Sequence, residues 1–297
     1  MKEATSQDIA LVLQGGGTRG AFTAGVLDVL MENGITFPYV IGTSAGALNG
    51  VNYLSGDIGR SKFVTTELIS DKKFVSFGNL LFRGSIFNFI YLFHEVPKTR
   101  YPFNSAAFNT SPSEFVVATT EMKSGKTAYL EKGVCKEFYK ALAATSSLPL
   151  LARPVDVEGE LYLDGGVGAA IPFRKPIEEG FSKIVVIETR ERGFRKKVKS
   201  SPFKQFLARC MYGKYKQFLV EYKRRAEQYN LDAAEVERLD DEGVAFVVYP
   251  EVPPEVKLVE KDTDRLLRLY EQGHDVMTRQ LPRLKAFMKG SKHEQKR

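Results

Sequence analysis

One serine lies in a sequence context that can make its hydroxyl group a nucleophile. The segment Gly42-Thr43-Ser44-Ala45-Gly46 follows the apolar run Tyr39-Val40-Ile41 and precedes Ala47-Leu48-Asn49, which has helical character. A G-x-S-x-G pattern between a strand and a helix forms a sharp turn that presents the hydroxyl at the helix N-terminus. Backbone N–H groups and the helix dipole stabilise negative charge there. We predict that Ser44 is a catalytic nucleophile, the alternative being a serine that only caps the helix.

A serine nucleophile needs a base that accepts its proton, and histidine is the usual one. The chain has three histidines: His94 at the end of an aromatic segment, His274 in a highly charged stretch, and His293 in the polar C-terminal tail. None follows an apolar strand into a loop, although His274 satisfies the chain order Ser, Asp, His of α/β-hydrolases. The sequence therefore favours a base of another type.

An aspartate has the context that the histidines lack. The apolar run Leu161-Tyr162-Leu163 leads directly into Asp164, Gly165 and Gly166, and the two glycines leave room for Ser44 and a substrate. Burial disfavours the charged form of a carboxyl group, which raises its pKa and makes it a stronger base. An Asp-Gly pair is by default a hairpin turn. Combined with the serine motif, however, it predicts that Asp164 takes the proton of Ser44.

A glycine-rich loop lies between the first apolar run, Ile9 to Leu13, and a segment with helical periodicity, Ala21 to Met31. Glycines in such a loop let backbone N–H groups approach an anion. The spacing Gly15-x-Gly17-x-x-Gly20 also fits a dinucleotide-binding loop, but the second strand is not followed by the acidic residue that would hold the ribose. We therefore expect a transient oxyanion as the ligand, bound by Gly15, Gly16, Gly17 and Arg19.

The elements that carry these motifs alternate between strands and helices. Further strands are predicted at residues 115–119, 127–130, 161–163, 184–187 and 244–249, with helices in most of the intervals. This rhythm predicts a largely parallel sheet that is covered by helices on both faces. The domain prediction is a catalytic core over residues 1–189, a basic helical part over 190–290 that packs on it, and a flexible tail over 291–297.

Composition is that of a folded protein of 297 residues, with 43% hydrophobic and 27% charged residues. The chain lacks an apolar run long enough to span a bilayer and a signal-peptide pattern at its N-terminus, so a cytoplasmic location is expected. Cys135 and Cys210 are too far apart for a metal-binding motif and are predicted to be ordinary buried or half-buried thiols.

Two segments depart from the alternating pattern. Residues 74–93 contain seven aromatic side chains and a single charge, Arg83, so they form either core or a wall that faces lipid. Residues 190–225 contain thirteen Lys or Arg against two Glu, with aromatic and aliphatic residues at roughly helical spacing. This second segment predicts a basic amphipathic helix or helix pair that contacts anionic headgroups at the inner membrane surface, or else a solvated face.

Together the motifs resemble the patatin-like phospholipase family. The resemblance rests on Gly-Gly-Gly-Thr-Arg-Gly, Gly-Thr-Ser-Ala-Gly and Asp-Gly-Gly in that order, and on Ala144-Thr145-Ser146-Ser147-Leu148-Pro149, and it spans roughly residues 9–189. It implies a three-layer α/β/α fold with a central, mostly parallel sheet, and a Ser-Asp dyad that acts without histidine. It also implies hydrolysis of esters in phospholipids, lysophospholipids or related acyl lipids, with no metal and no cofactor.

Other functions leave part of the sequence unexplained. A nucleic-acid-binding protein would account for the basic segment but not for Ser44, Asp164 or the glycine loop. A dinucleotide-dependent oxidoreductase lacks the ribose carboxylate. A binding or regulatory protein that has kept the fold with weak or no esterase activity is the alternative that stays open. The sequence does not predict the oligomeric state.

Overall fold

The structure is a computed structural model that describes residues 8–198 and 201–290. Its strands are β1 (Ile9–Leu13), β2 (Tyr39–Thr43), β3 (Glu114–Glu121), β4 (Thr127–Glu131), β5 (Val155–Val157), β6 (Glu160–Asp164), β7 (Lys183–Ile187) and β8 (Ala245–Val248). Its α-helices are α1 (Gly20–Glu32), α2 (Ala45–Ser55), α3 (Arg60–Lys62), α4 (Phe77–Arg83), α5 (Val96–Thr99), α6 (Ser105–Thr110), α7 (Phe138–Thr145), α8 (Arg174–Glu178), α9 (Pro202–Tyr212), α10 (Lys216–Asp241) and α11 (Thr263–Gly290).

All eight strands form one sheet in the order β5-β6-β3-β2-β1-β7-β8, and β4 also pairs with β3. The pairs between β1, β2, β3, β7 and β8 are parallel, whereas β4, β5 and β6 join antiparallel. The predicted three-layer fold is therefore confirmed, with one antiparallel end. The short strand β5 was not predicted, because three residues are too few for an alternating pattern to be recognised.

The sheet has a core on each face because successive side chains of a strand point to opposite sides. Leu11 and Leu13 of β1 belong to the core shared with α1, α2 and α11, whereas Ala10 and Val12 pack towards α10. All five β1 residues are buried, as the continuous apolar run predicted for a strand covered on both sides.

The C-terminal elements are part of this architecture. Strand β8 pairs in parallel with β7, and helix α11 packs against α1. The two helices approach closely at glycines: a Cβ atom on Gly25 would lie 2.1 Å from the carbonyl oxygen of Tyr270, and one on Gly273 would lie 2.1 Å from that of Phe22. The division at residue 189 stays a prediction of the sequence, and the predicted tail at 291–297 lies outside the described residues.

Within the described ranges, no helix combines the length and the apolar composition needed to cross a membrane. Both cysteines are free. Cys135 is buried as predicted, but the prediction of burial is wrong for Cys210, which is exposed. The buried residues of α9, Ala208 and Tyr212, are four positions apart and so lie on the same face of the helix. Cys210 is two positions from each of them and therefore lies on the opposite, exposed face.

Candidate active site

Ser44 lies in the sharp turn between β2 and α2. Its backbone has φ 54° and ψ −124°, a conformation that costs a non-glycine residue about 1–3 kcal/mol. The flanking glycines allow this turn, because a Cβ atom on Gly42 would lie 2.6 Å from the nitrogen of Ala47 and one on Gly46 would lie 2.4 Å from the oxygen of Leu13. The chain therefore holds the Ser44 hydroxyl in a fixed, strained position at the start of α2.

The register of β3 brings Ser44 and Asp164 together across 120 positions of sequence. Thr43, the last residue of β2, pairs with Ala118, and Asp164, the last residue of β6, pairs with the next residue, Thr119. Strand β6 thus continues on β3 where β2 stops, and the two strands meet end to end. The residue that follows Thr43 must therefore lie beside the end of β6.

The Ser44 hydroxyl donates a hydrogen bond of 2.7 Å from Oγ to Oδ2 of Asp164. The other carboxylate oxygen, Oδ1, accepts from the backbone nitrogen of Gly166 at 2.7 Å. Burial raises the pKa of Asp164 from its ordinary value of 3.8 to about 6, although the hydrogen bonds from Ser44 and Gly166 oppose the shift. A carboxylate with this pKa is ionised at neutral pH and more basic than a solvated aspartate.

Hydrogen bonds of its own backbone N–H and C=O groups hold Asp164 in place. Its backbone nitrogen donates to the oxygen of Ser147, and its own carbonyl oxygen accepts from the hydroxyl of Thr120. Gly165 must be glycine, because a Cβ atom there would lie 2.2 Å from the oxygen of Ala118. The carboxylate is thus held rigidly against Ser44.

Thr145 positions Ser44 from the other side, a role that the sequence did not indicate. Its hydroxyl accepts a 2.9 Å hydrogen bond from the backbone nitrogen of Ser44 and donates one of 2.5 Å to the oxygen of Ala118. The only signal was its place in the Ala-Thr-Ser-Ser-Leu-Pro block. Its hydroxyl, at the end of α7, ties the serine turn to β3.

The glycine loop lies beside Ser44, and its backbone amides differ in whether they already donate a hydrogen bond. The nitrogen of Gly15 donates to the oxygen of Ala170 at 2.9 Å, so this amide is not free for an oxyanion. The amides of Gly16 and Gly17 donate to no acceptor in the described part of the chain. Gly17 has φ 58° and lies against the C-terminal part, since a Cβ atom there would be 2.2 Å from the oxygen of Leu258. The candidate oxyanion donors therefore narrow from the predicted set to Gly16, Gly17 and Arg19.

Arg19 and Lys196 line the same cavity as Ser44 and Asp164. The Nε atom of Arg19 is buried without a hydrogen-bond partner among the described residues. Burial, followed by the charge of Arg190, lowers the pKa of Arg19 to about 10. Burial also lowers the pKa of Lys196 to about 8, with Arg19 and Arg225 contributing, while Asp164 opposes the shift. Cationic side chains thus lie on one side of the Ser44–Asp164 pair.

The histidines that the structure describes lie elsewhere. His94 is exposed and contacts the ring of Tyr139, and His274 lies 3.4 Å from the carboxylate of Glu32 on α1. Neither lines the two cavities that meet at Ser44, and His293 lies outside the described residues. Among the described residues, no group of three or more His, Cys, Asp or Glu side chains could hold a metal ion.

Two cavities meet at Ser44, and Gly17 and Leu148 also line both. The narrower one has a volume of about 70 Å³, and the larger one, which contains Asp164, has about 360 Å³. We call the narrower one the apolar cavity, because most of its wall is aliphatic or aromatic: Ala45, Leu48, Val64, Ile69, Phe74, Phe87, Phe89 and Leu148. An ester carbonyl at Ser44 could therefore have an apolar chain on one side and a polar group on the other.

The aromatic segment 74–93 contributes to the apolar cavity and to the surface. Phe74 is buried and, with Phe87 and Phe89, lines the cavity. Phe77 and Phe82 on α4 are 81% and 87% exposed. The segment is therefore part buried core and part exposed surface, and whether it faces lipid stays a prediction.

The sequence matches the family model described as "Patatin-like phospholipase" over residues 11–177, more than half of the chain. Residues 215–289 match a second model, "Domain of unknown function (DUF6363)". The uncharacterized protein YjjU of Escherichia coli is 31% identical over 187 residues, which are 61% of this chain and 52% of YjjU. Lysophospholipase nte1 of Aspergillus terreus is 31% identical over 172 residues, 54% of this chain and 10% of that protein.

The chain thus covers about half of YjjU and a small part of nte1. Among solved structures, VipD from Legionella pneumophila matches with a TM-score of 0.50 and 13% identity, covering 93% of this chain and 67% of that chain. This likeness concerns the fold alone. The family model includes the serine turn, the strand β3 that aligns it with Asp164, and Asp164 itself. The chain therefore belongs to the patatin-like phospholipase family.

Proposed function

We propose that this protein hydrolyses carboxylic esters of acyl lipids, with Ser44 as the nucleophile and Asp164 as its base. The observation that carries the proposal is the 2.7 Å contact between Ser44 Oγ and Asp164 Oδ2 at the junction of the two cavities. Phospholipids, lysophospholipids and related acyl lipids have an apolar chain and a polar group on opposite sides of the ester, which matches this arrangement. The name of the nte1 relative, a lysophospholipase, supports the same substrate class.

In the first step, Ser44 Oγ attacks the ester carbonyl carbon while Asp164 accepts the hydroxyl proton. The carbonyl oxygen becomes an oxyanion, which the free amides of Gly16 and Gly17 and the charge of Arg19 stabilise. The bond to the leaving oxygen then breaks, and Asp164 returns its proton to that oxygen. The products are an alcohol and an acyl group bound to Ser44.

In the second step, Asp164 accepts a proton from water as the water oxygen attacks the acyl carbonyl. The same donors stabilise the second oxyanion, and the bond to Ser44 Oγ breaks as Asp164 returns the proton to the serine. The fatty acid leaves and the dyad is restored. One carboxylate serves both steps because its raised pKa lets it accept and donate a proton near neutral pH.

Turnover of a nitrophenyl ester by the full chain tests this proposal. Ser44→Ala should abolish both turnover and labelling by a fluorophosphonate probe, because both require the activated hydroxyl. Ser105→Ala is the matched control, since Ser105 is exposed at the start of α6, and it should behave as wild type. Wild-type turnover by a folded Ser44→Ala variant would refute the assignment of the nucleophile.

Peripheral contact with an anionic membrane surface is part of the same proposal. Exposed aromatic residues lie on α4, at Phe77 and Phe82, and on the basic helix α9, at Phe203 and Phe206. The two helices adjoin the loop at residues 148–153, which lines both cavities: the backbone nitrogen of Ile86, just after α4, donates to Leu151 O, and Tyr212 of α9 contacts Leu150 and Ala152. Aromatic side chains beside basic ones are typical of interfacial helices. A cytoplasmic location at the inner membrane surface stays a prediction.

Co-sedimentation with vesicles tests the membrane contact. Wild-type protein should bind vesicles that contain an anionic lipid more strongly than vesicles of a zwitterionic lipid. Phe82→Ser and Phe206→Ser should each weaken that binding, whereas Val252→Ser, which removes an apolar side chain that is 60% exposed elsewhere, should not. Binding that is indifferent to lipid charge, or equal in all four proteins, would contradict the proposed contact.

A further inference from the structure

Some cationic side chains of the basic segment 190–225 form ion pairs with acidic residues, and others do not. Arg192 forms ion pairs with Asp240 and Asp241, and Arg195 pairs with Glu237, so these charges are neutralised by α10. Four other cations line the larger cavity and have no ion pair within the described ranges: Arg19, Lys196, Lys204 and Arg225. We call these four residues the cationic wall.

Two members of the cationic wall, Lys196 and Arg225, have contacts that hold them in place without supplying a counter-charge. The backbone of Lys196 is fixed by Asn230, which accepts from its nitrogen at 2.7 Å and donates to its oxygen at 3.0 Å. The guanidinium of Arg225 lies 3.9 Å from the ring centre of Tyr222. Lys204 is exposed, but Arg19, Lys196 and Arg225 are half-buried, and placing half-buried cations close together without an anion is unfavourable. A bound anion would offset the repulsion between these cations, so the arrangement favours a negatively charged ligand.

We propose that the cationic wall binds the phosphate of a glycerophospholipid or lysophospholipid whose headgroup carries a net negative charge. This inference rests on the proposed function, because it assigns the larger cavity to the headgroup of the substrate that Ser44 cleaves. The phosphate of such a lipid is separated from its acyl ester by only the glycerol unit. Ser44 and the cationic wall line one cavity, so the ester and the phosphate of one lipid would lie in the same space.

The same cavity disfavours a zwitterionic headgroup. Asp164 is the single carboxylate among its described lining residues, and that group is bound to Ser44 and Gly166. A quaternary ammonium group can also bind on an aromatic face. Tyr222 is the single aromatic residue among the described lining residues, and its ring already contacts the guanidinium of Arg225 and stacks with the ring of Phe218. A choline group would therefore find neither an anion nor an open aromatic face.

The chemistry of the wall also favours phosphate over a weaker anion. Arg and Lys donate charge-assisted hydrogen bonds to phosphate oxygens, and arginine can donate two in parallel. Of this wall, only Arg19 lies within residues 11–177, which match the patatin-like model, and Arg225 lies within residues 215–289, which match the second model. The proposed headgroup preference thus depends on Arg19 together with three residues of the C-terminal part of this chain.

Hydrolysis of monoacyl lipids with identical acyl chains tests the inference. We would measure kcat/KM for the full-length protein, below the critical micelle concentration, with glycerophosphate, glycerophosphoglycerol and glycerophosphocholine headgroups. Wild type should prefer the two anionic lipids over the choline lipid by about 10-fold or more, because a hydrogen bond to a charged group contributes about one to two decades in affinity. Lys196→Gln and Arg225→Gln should each reduce this preference by about 10-fold. Lys197→Gln, which removes an exposed neighbouring charge, should keep it.

Equilibrium binding to the Ser44→Ala variant separates this inference from the proposed function. Calorimetric titration with the acyl glycerophosphate should show binding that Lys196→Gln weakens, even if no ester is hydrolysed by the wild-type protein. Equal kcat/KM for all headgroups, or a preference for choline, would overturn the headgroup site while leaving ester hydrolysis intact. Inorganic phosphate binding as tightly as the lipid would also overturn it, because the site would then serve a free anion.

Discussion

Replacing Asp164 with asparagine should remove the proposed base and at the same time make the folded protein more stable. Asparagine has the same shape, and its oxygen can still accept from the Gly166 nitrogen as Oδ1 does at 2.7 Å. It carries no charge, so it does not incur the cost of burying a carboxylate. The side chain of Asp164 is 3% exposed, so this cost is expected to be large. Loss of activity with gain of stability is a combination that few other substitutions would produce.

The size of the effect follows from the pKa of Asp164, which burial raises from 3.8 to about 6. Because the folded-state pKa is raised, the neutral carboxyl contributes stability that is fully present below pH 3.8 and is lost as the pH rises through about 6. A difference of about two pKa units corresponds to about 3 kcal/mol. Asp164→Asn should therefore exceed wild type in free energy of unfolding by about 3 kcal/mol at pH 8, and by less than about 1 kcal/mol at pH 4.

Urea unfolding followed by circular dichroism between pH 4 and pH 8 measures this difference. Asp275→Asn is the control, because it removes the same charge from an exposed position on α11 and should change stability little. In parallel, kcat/KM of wild type for a nitrophenyl ester should rise with pH through about 6, and Asp164→Asn should lower it by about 10²- to 10⁴-fold. If the Asp164→Asn and wild-type proteins unfold with equal free energy at every pH, burial does not tune this carboxylate.

Two further substitutions test the contacts that position Ser44 and those that pack α11 on α1. Thr145→Val should cost about 1–3 kcal/mol of stability and lower kcat, because it leaves the Ser44 nitrogen and the Ala118 oxygen without their hydroxyl partner. Thr145→Ser should restore both quantities in urea unfolding and steady-state kinetics, and equal behaviour of the two variants would contradict this role. Gly273→Ala should cost about 1–3 kcal/mol in thermal unfolding, because its methyl group would lie 2.1 Å from a carbonyl oxygen of α1. Gly290→Ala, with no backbone nearby, should be neutral, and equal losses in both variants would contradict close packing as the cause.

Much of the fold could be predicted because the central strands are buried on both faces. Ile9–Leu13 and Lys183–Ile187 appear in the sequence as apolar runs between glycines or polar segments, and both are central parallel strands. The antiparallel end of the sheet was harder to predict from the sequence. Its edge strand, Val155–Val157, has three residues with a charged one in the middle, and it is recognisable only once β6 pairs with it.

The site shows a similar division between local and long-range information. The turn at Ser44 and the end of the strand at Asp164 are local features, so the sequence could indicate both residues. Their contact depends on the β3 register, in which Ala118 and Thr119 pair with different strands, and no local pattern contains that register. The Gly15 amide was predicted as an oxyanion donor, yet the structure pairs it with Ala170, a residue 155 positions away.

The basic segment demonstrates most clearly why charge counts are insufficient. In the sequence, Arg192, Arg195 and Lys196 are equivalent members of one positive stretch. In the structure, the first two are neutralised by acidic residues of α10 that follow more than forty positions later, while Lys196 lines the cavity that contains Ser44 and Asp164. Which charge is free for a ligand is decided by tertiary packing, and composition cannot reveal it.

The same packing explains why the geometry of the candidate site depends on residues beyond the family motifs. The strained Ser44 backbone and the buried Asp164 carboxylate together cost several kcal/mol, a large fraction of the net stability of about 5–15 kcal/mol of a typical domain. The glycine loop must also be fixed, and the C-terminal part does this: Thr18 donates from its nitrogen to Leu258 at 3.0 Å and from its hydroxyl to Lys257 at 2.7 Å. Helix α11 begins at Thr263, shortly after this contact, and packs on α1, the helix that follows the glycine loop. Preorganisation of the proposed oxyanion donors is therefore a property of the whole chain rather than of the motif that contains them.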